Sequence, residues 1–113
     1  MSRSADQHHI INIERQLLQA LCQETTEDAM RETARRLLVD YEWREPIHQA
    51  VFDSLKDIPS KSLVTLSDQL PARVTRKGFP DVNWEEFFAP STLSKKSAED
   101  LMRQLRDSGN RDF

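Results

Sequence analysis

Two prolines, at positions 46 and 59, bracket the stretch that most limits how this chain can fold. Pro46 suits the first turn of a helix, where its ring presets φ and its missing N–H has no helical partner to lose. Pro59 pushes the residue before it out of the α region, so a helix begun at Pro46 stops there. Between them Ile47, Val51, Leu55 and Ile58 recur at spacings of four, four and three, which is one face of a helix. His48 and Phe52 lie beside that stripe and widen it, and Glu45 puts negative charge near the positive helix end. Pro59-Ser60-Lys61 reads as a turn. Thr65, with Asp68 three residues on, reads as the capping box of a short second helix, at which Pro71 is either the end or the start of the next turn.

The same spacing argument predicts helices on both sides. Residues 1–9 read as a disordered lead-in, and Ile10, Ile13, Leu17, Leu18 and Leu21 form the stripe of a first helix from about His9 to Cys22. Thr25 or Thr26 caps a second, with Met30, Ala34, Leu37 and Leu38 facing inward and Arg31, Glu32, Arg35 and Arg36 facing out. Tyr41-Glu42-Trp43 is the loop into the central helix, with Trp43 placed to cover the junction of the first three helices. After Leu70, residues Pro71 to Lys77 can add one or two helical turns, which Gly78 closes and Pro80 prevents from continuing. Asn83-Trp84-Glu85-Glu86 reads as a capping box for a short helix through Phe88. A last helix opens near Ser97, with Asp100 in the box position, and runs to about Asp107 on the stripe Ala98, Leu101, Met102 and Leu105. The expected fold is all-α: a small bundle of four to six helices, with residues 10–108 as one interaction domain and 109–113 as a tail.

Composition narrows the function classes. Only 2 glycines and no β-branched alternation leave no phosphate-binding glycine loop and no sheet pattern. The net charge of −3 does not favour broad electrostatic binding to nucleic acid. No stretch approaches the ~20 apolar residues a membrane span needs, and the start lacks a signal-peptide run. The single Cys22 has no internal disulfide partner, which fits a reducing, cytoplasmic setting.

Candidates for chemistry read better as structure. His8 and His9 are adjacent, whereas helical metal sites use spacings of three or four. His48 reads as a packed ring with one hydrogen bond to a loop backbone, and Cys22 as a partly buried thiol with no Cys-x-x-Cys partner. Neighbouring carboxylates such as Glu85 with Glu86 do not face one another on a helix. No catalytic residue, metal or cofactor is implied. Two surfaces are candidates for a partner: the basic run Arg73, Arg76 and Lys77, and the aromatic group Trp84, Phe87 and Phe88. That group spans more than one face of a short helix and so leaves part of itself for an interface.

The pattern Trp43-x-x-x-x-His48-x-x-Val51-Phe52-x-x-Leu55 resembles the signature of a small helical domain at the N-terminus of DnaB-type replicative helicases. A relative of that domain lies at the C-terminus of DnaG-type primases, where it binds the helicase. Leu63-Val64-Thr65-Leu66-x-x-x-Leu70 is similar to the segment that follows in the family, and Glu14-x-x-Leu17-Leu18-x-x-Leu21 to its opening helix. The likeness covers roughly residues 10 to 70. No part after Leu70 matches, and the chain contains no helicase motor, primase catalytic or zinc-binding domain. It implies a non-enzymatic docking module of DNA replication whose partner is the replicative helicase or primase, or a module that assembles the helicase ring as a homo-oligomer. Nucleic acid would be met only indirectly. The single amphipathic helix at the end leans toward the primase-type domain. A nucleic-acid-binding or regulatory domain working through its two arginine clusters is the alternative.

Overall fold

The computed structural model describes residues 3–23, 28–58 and 66–109. Among them the chain forms six helices and no strand: α1 (Arg3–Leu21), α2 (Asp28–Leu37), α3 (Pro46–Asp57), α4 (Leu66–Arg76), α5 (Trp84–Phe88) and α6 (Lys95–Gly109). The expected all-α bundle is the observed one.

Helix α1 is the post of the bundle. It packs against α3, α5 and α6, while α2 lies on α6 and α4 on α3. Its stripe explains this reach: Ile13, Leu17, Leu18, Ala20, Leu21 and Cys22 are all buried, so more than one side of the helix is covered. α6 answers with Ala98, Met102 and Leu105, each fully buried, and α2 with Ala34, followed just past its end by Leu38. Each buried Leu, Ile or Met side chain among them stabilises by about 1.5–3 kcal/mol.

Residues 3–9, expected to belong to a disordered lead-in, are helical instead, because α1 begins at Arg3. Residues 3–9 contain no proline or glycine, and extending an established helix is far easier than starting one. The caps expected at Thr25, Thr26 and Thr65, the turn at Pro59-Ser60-Lys61 and the family-like residues Leu63 to Thr65 lie outside the described residues.

Helix α3 follows the two-proline frame. Pro46 sits in its first turn, and Ile58, the residue before Pro59, is extended at φ −89 and ψ 123. The buried face is His48, Ala50, Val51, Phe52, Ser54 and Leu55, rotated from the predicted stripe so that Ile47 is only half-buried. Trp43 is buried between Tyr41, edge-on at 5.2 Å, and Phe52 at 4.9 Å, as its loop position requires.

Pro71 does not end a helix; it lies inside α4. Its ring removes a backbone hydrogen bond and costs about 3 kcal/mol. Leu70 and Val74 flank it and are both fully buried, which offsets that cost by about 3–6 kcal/mol. The helix ends where glycine permits. Gly78 has φ 102, its N–H donates to the Thr75 carbonyl at 3.0 Å, and the Phe79 N–H donates to the Val74 carbonyl at 3.2 Å. These two bonds form a Schellman closure, with Phe79 packed against the core beyond it.

Two expected capping boxes are replaced. Asn83 is the N-cap of α5 but makes no side-chain cap bond; the Glu86 N–H goes to the Asn83 carbonyl at 3.2 Å, and the Glu86 carboxylate lies 3.8 Å from Arg15. α6 starts a turn earlier than predicted. Ser94 Oγ accepts from the Ser97 N–H at 3.1 Å, and the Ser94 carbonyl takes the Ala98 N–H at 2.9 Å. Asp100, free of the box role, faces Arg103 at 3.5 Å.

The α4 closure yields a direct test. A Cβ at Gly78 would meet nothing within 4 Å, so substitution strains the backbone without a clash. Gly78→Ala is expected to lower unfolding stability by about 1–2 kcal/mol, with Gly78→Asn costing less, as read by urea denaturation.

Candidate functional site

The polar centre of the bundle is Glu14, a fully buried carboxylate on α1. Three donors from the other side of the core converge on it. The Tyr41 hydroxyl donates to Oε2 at 2.5 Å, the Arg44 backbone N–H to Oε2 at 2.7 Å, and His48 Nδ1–H to Oε1 at 2.8 Å. His48 is buried too, so its expected loop-backbone bond is replaced by a carboxylate on another helix. An isolated buried charge would cost several kcal/mol, whereas hydrogen bonds to a charged group contribute roughly 1.5–3 kcal/mol each. Three of them make the site self-consistent and tie α1, the loop before α3 and α3 together.

The sequence held a clue to Glu14. It lies four residues after Ile10 and three before Leu17, in the middle of the apolar stripe. A carboxylate at such a position is buried with partners or not at all. Tyr41 was legible only as a loop aromatic. Its phenol is pushed well above the ordinary range, chiefly by burial, then by the bond to Glu14 and the negative charge of Glu14.

The aromatic candidates occupy a different place. On α5, Phe87 enters the core and meets the His48 ring edge-on at 6.1 Å. Trp84 and Phe88 are half-buried at its edge, stacked on one another at 5.4 Å with planes 20° apart. None of the three is fully exposed. Among the described residues Val39 is the large apolar side chain that is, at 69%. The carbonyls just beyond α5 are held from α1 and the residues after it: Gln19 Nε2 donates to Ala89 and Pro90, and Gln23 Nε2 to Ala89.

The basic candidates split up. Arg73 is half-buried, Arg76 is exposed, and Lys77 is exposed 4.0 Å from Asp57. In the other cluster Arg31 does not face solvent as expected. Its guanidinium donates to the Leu21 and Gln23 carbonyls at 3.0 and 2.6 Å, capping the C-terminal end of α1. Arg35 pairs with Glu32 at 3.1 Å, and Arg36 is exposed.

His9 is exposed, and among the described residues no three His, Cys, Asp or Glu side chains gather as a metal site would. No described helix is long and apolar enough to cross a membrane. The arrangement offers a carboxylate–imidazole–phenol cluster sealed inside the core and an aromatic ledge at the surface. The first holds the fold and the second can make contacts. Comparison of the chain with protein-family models, with curated proteins and with solved structures finds no match in any of the three.

Cys22 gives this region its pH test. Burial pushes its thiol up to about 12, against the pull of the nearby Arg31 charge. The thiol stays neutral in the fold and ionises in the unfolded chain near 9, so stability is full below that pH and falls as pH climbs toward about 12. The limiting slope is about 1.4 kcal/mol per pH unit, and Tyr41 adds loss of the same sign at higher pH. Cys22→Ala should flatten this alkaline limb in denaturant titrations. Under native conditions at pH 8 a thiol reagent should label Cys22 only as fast as the chain opens; rapid full labelling would contradict a buried thiol.

Proposed function

We propose that this chain is a docking module of bacterial DNA replication, joining primase to the replicative helicase and making no covalent bonds itself. The observation that supports the reading is where the family-like residues lie. Trp43, His48, Val51, Phe52 and Leu55 are all buried, and so are Glu14, Leu17, Leu18 and Leu21 of the opening segment. The two segments meet side chain to side chain through Glu14 and His48. A pattern that recurs because it builds a core would be buried in this way. Of the two versions of the domain, the primase-type helicase-binding module is the one we favour.

The functional surface is then not the signature itself, which is sealed, but what the helices after it display. The arginine alternative is less well supported, because Arg31 is taken up in capping α1 and Arg73 is half-buried.

Size-exclusion chromatography with light scattering separates the versions. The protein alone is expected to run as a monomer and, mixed with the replicative helicase of its source, to move onto the helicase peak. Self-association with capture of primase instead would point to the helicase-type domain. An unchanged elution with both proteins at micromolar concentrations would overturn the replication reading while leaving the fold untouched.

A further inference from the structure

The segment around α5 carries a surface that the core does not consume. Trp84 and Phe88 bury one side against the bundle and present stacked rings at its edge. Between Phe79 and Ser94 the chain has three carboxylates, Asp81, Glu85 and Glu86, and no lysine or arginine. All three carboxylates are exposed. Arg15 sits 3.8 Å from Glu86 and is itself held by Asn12 at 2.7 Å, so it neutralises one carboxylate and leaves the other two.

We propose that the Trp84–Phe88 ledge, with Asp81 and Glu85, is a docking surface for an arginine-bearing segment of a partner protein. The proposal rests on the docking reading above and names the chemistry of the partner.

Charge decides among occupants. An anionic strand such as nucleic acid would meet like charge here. A purely apolar helix would strip water from unpaired carboxylates, which is costly. A cationic side chain gains twice: aromatic faces carry negative quadrupole and attract a cation within about 6 Å, and the exposed carboxylates Asp81 and Glu85 of the same segment add charge of the opposite sign. Arginine fits better than lysine, since its planar guanidinium stacks on rings, is more weakly hydrated and can fork to a carboxylate. The chain already uses this kind of contact internally, with Lys56 Nζ 5.5 Å from the Phe52 ring centre.

The test uses the intact chain and three probes: octa-arginine, octa-lysine and octa-glutamate. Binding is read by calorimetry and by amide and indole N–H shifts in NMR spectra. Octa-arginine is expected to bind more tightly than octa-lysine, to weaken with added salt, and to shift the Trp84 indole while the buried Trp43 indole stays put. Octa-glutamate should not bind. Trp84→Ala should weaken octa-arginine about tenfold. Because Trp84 also touches the core, Asp81→Asn and Glu85→Gln, both at exposed positions, serve as variants that keep the fold; each should weaken binding roughly two- to threefold.

No binding, or equal weakening by Glu32→Gln on the exposed side of α2, would overturn the proposal in favour of none or a diffuse polyanion effect. The docking reading is tested apart from it with the same variants. If the unaltered chain and all three ledge variants move onto the helicase equally well, the ledge fails and the docking reading stands. If octa-arginine binds the ledge but neither helicase nor primase is captured, the ledge stands and the replication partner fails.

Discussion

A buried carboxylate with three donors determines how the rest of this bundle must be arranged. Glu14 is fully enclosed, and it is tolerable only because Tyr41, the Arg44 backbone and His48 all reach it. That requirement fixes the register of α3 against α1 more sharply than apolar packing could, since hydrophobic contact is non-directional. It also sets the path of the loop between α2 and α3, because both Tyr41 and Arg44 must point a group inward.

Several other polar contacts lie at the ends of elements. Arg31 closes α1, Gln19 and Gln23 hold the turn after α5, Ser94 opens α6, and Gly78 with Phe79 closes α4. The bundle thus has an apolar interior from α1, α2 and α6, a charged insertion at α1–α3, and helix ends closed in part by backbone bonds and in part by side chains such as Arg31 and Gln19. The ledge on α5 is linked to the charged insertion through Phe87, which packs on His48. The proposed contact surface therefore sits directly over the most constrained part of the core.

Much of this was legible in the residues. The two-proline frame sets α3 almost to the residue, the spacing of Ala98, Leu101, Met102 and Leu105 marks the core face of α6, and Gly78 before Pro80 marks a true helix end. What was not legible depends on contacts far apart in sequence. Pro71 reads locally as a stop or as the start of a new turn; the burial of Leu70 and Val74 on either side offsets the cost of a proline inside α4. Asn83 and Glu86 read as a capping box, but the Glu86 carboxylate lies beside Arg15 on another helix. Thr25, Thr26 and Thr65 as caps fall outside the described residues. For the candidate site, Trp84, Phe87 and Phe88 were singled out from their crowding on one short helix, but which of them turns inward required the position of His48. The family likeness directed attention to His48 without revealing that its partner is Glu14.

The account depends most on Glu14 and His48 acting as one unit. A double-mutant cycle with Glu14→Gln and His48→Gln, followed by urea denaturation, measures that directly. The account predicts that the two changes are not additive, with a coupling of roughly 1–3 kcal/mol, as expected for residues sharing a buried hydrogen-bond network. Additive effects within about 0.5 kcal/mol would contradict it and reduce the contact to two independently packed side chains.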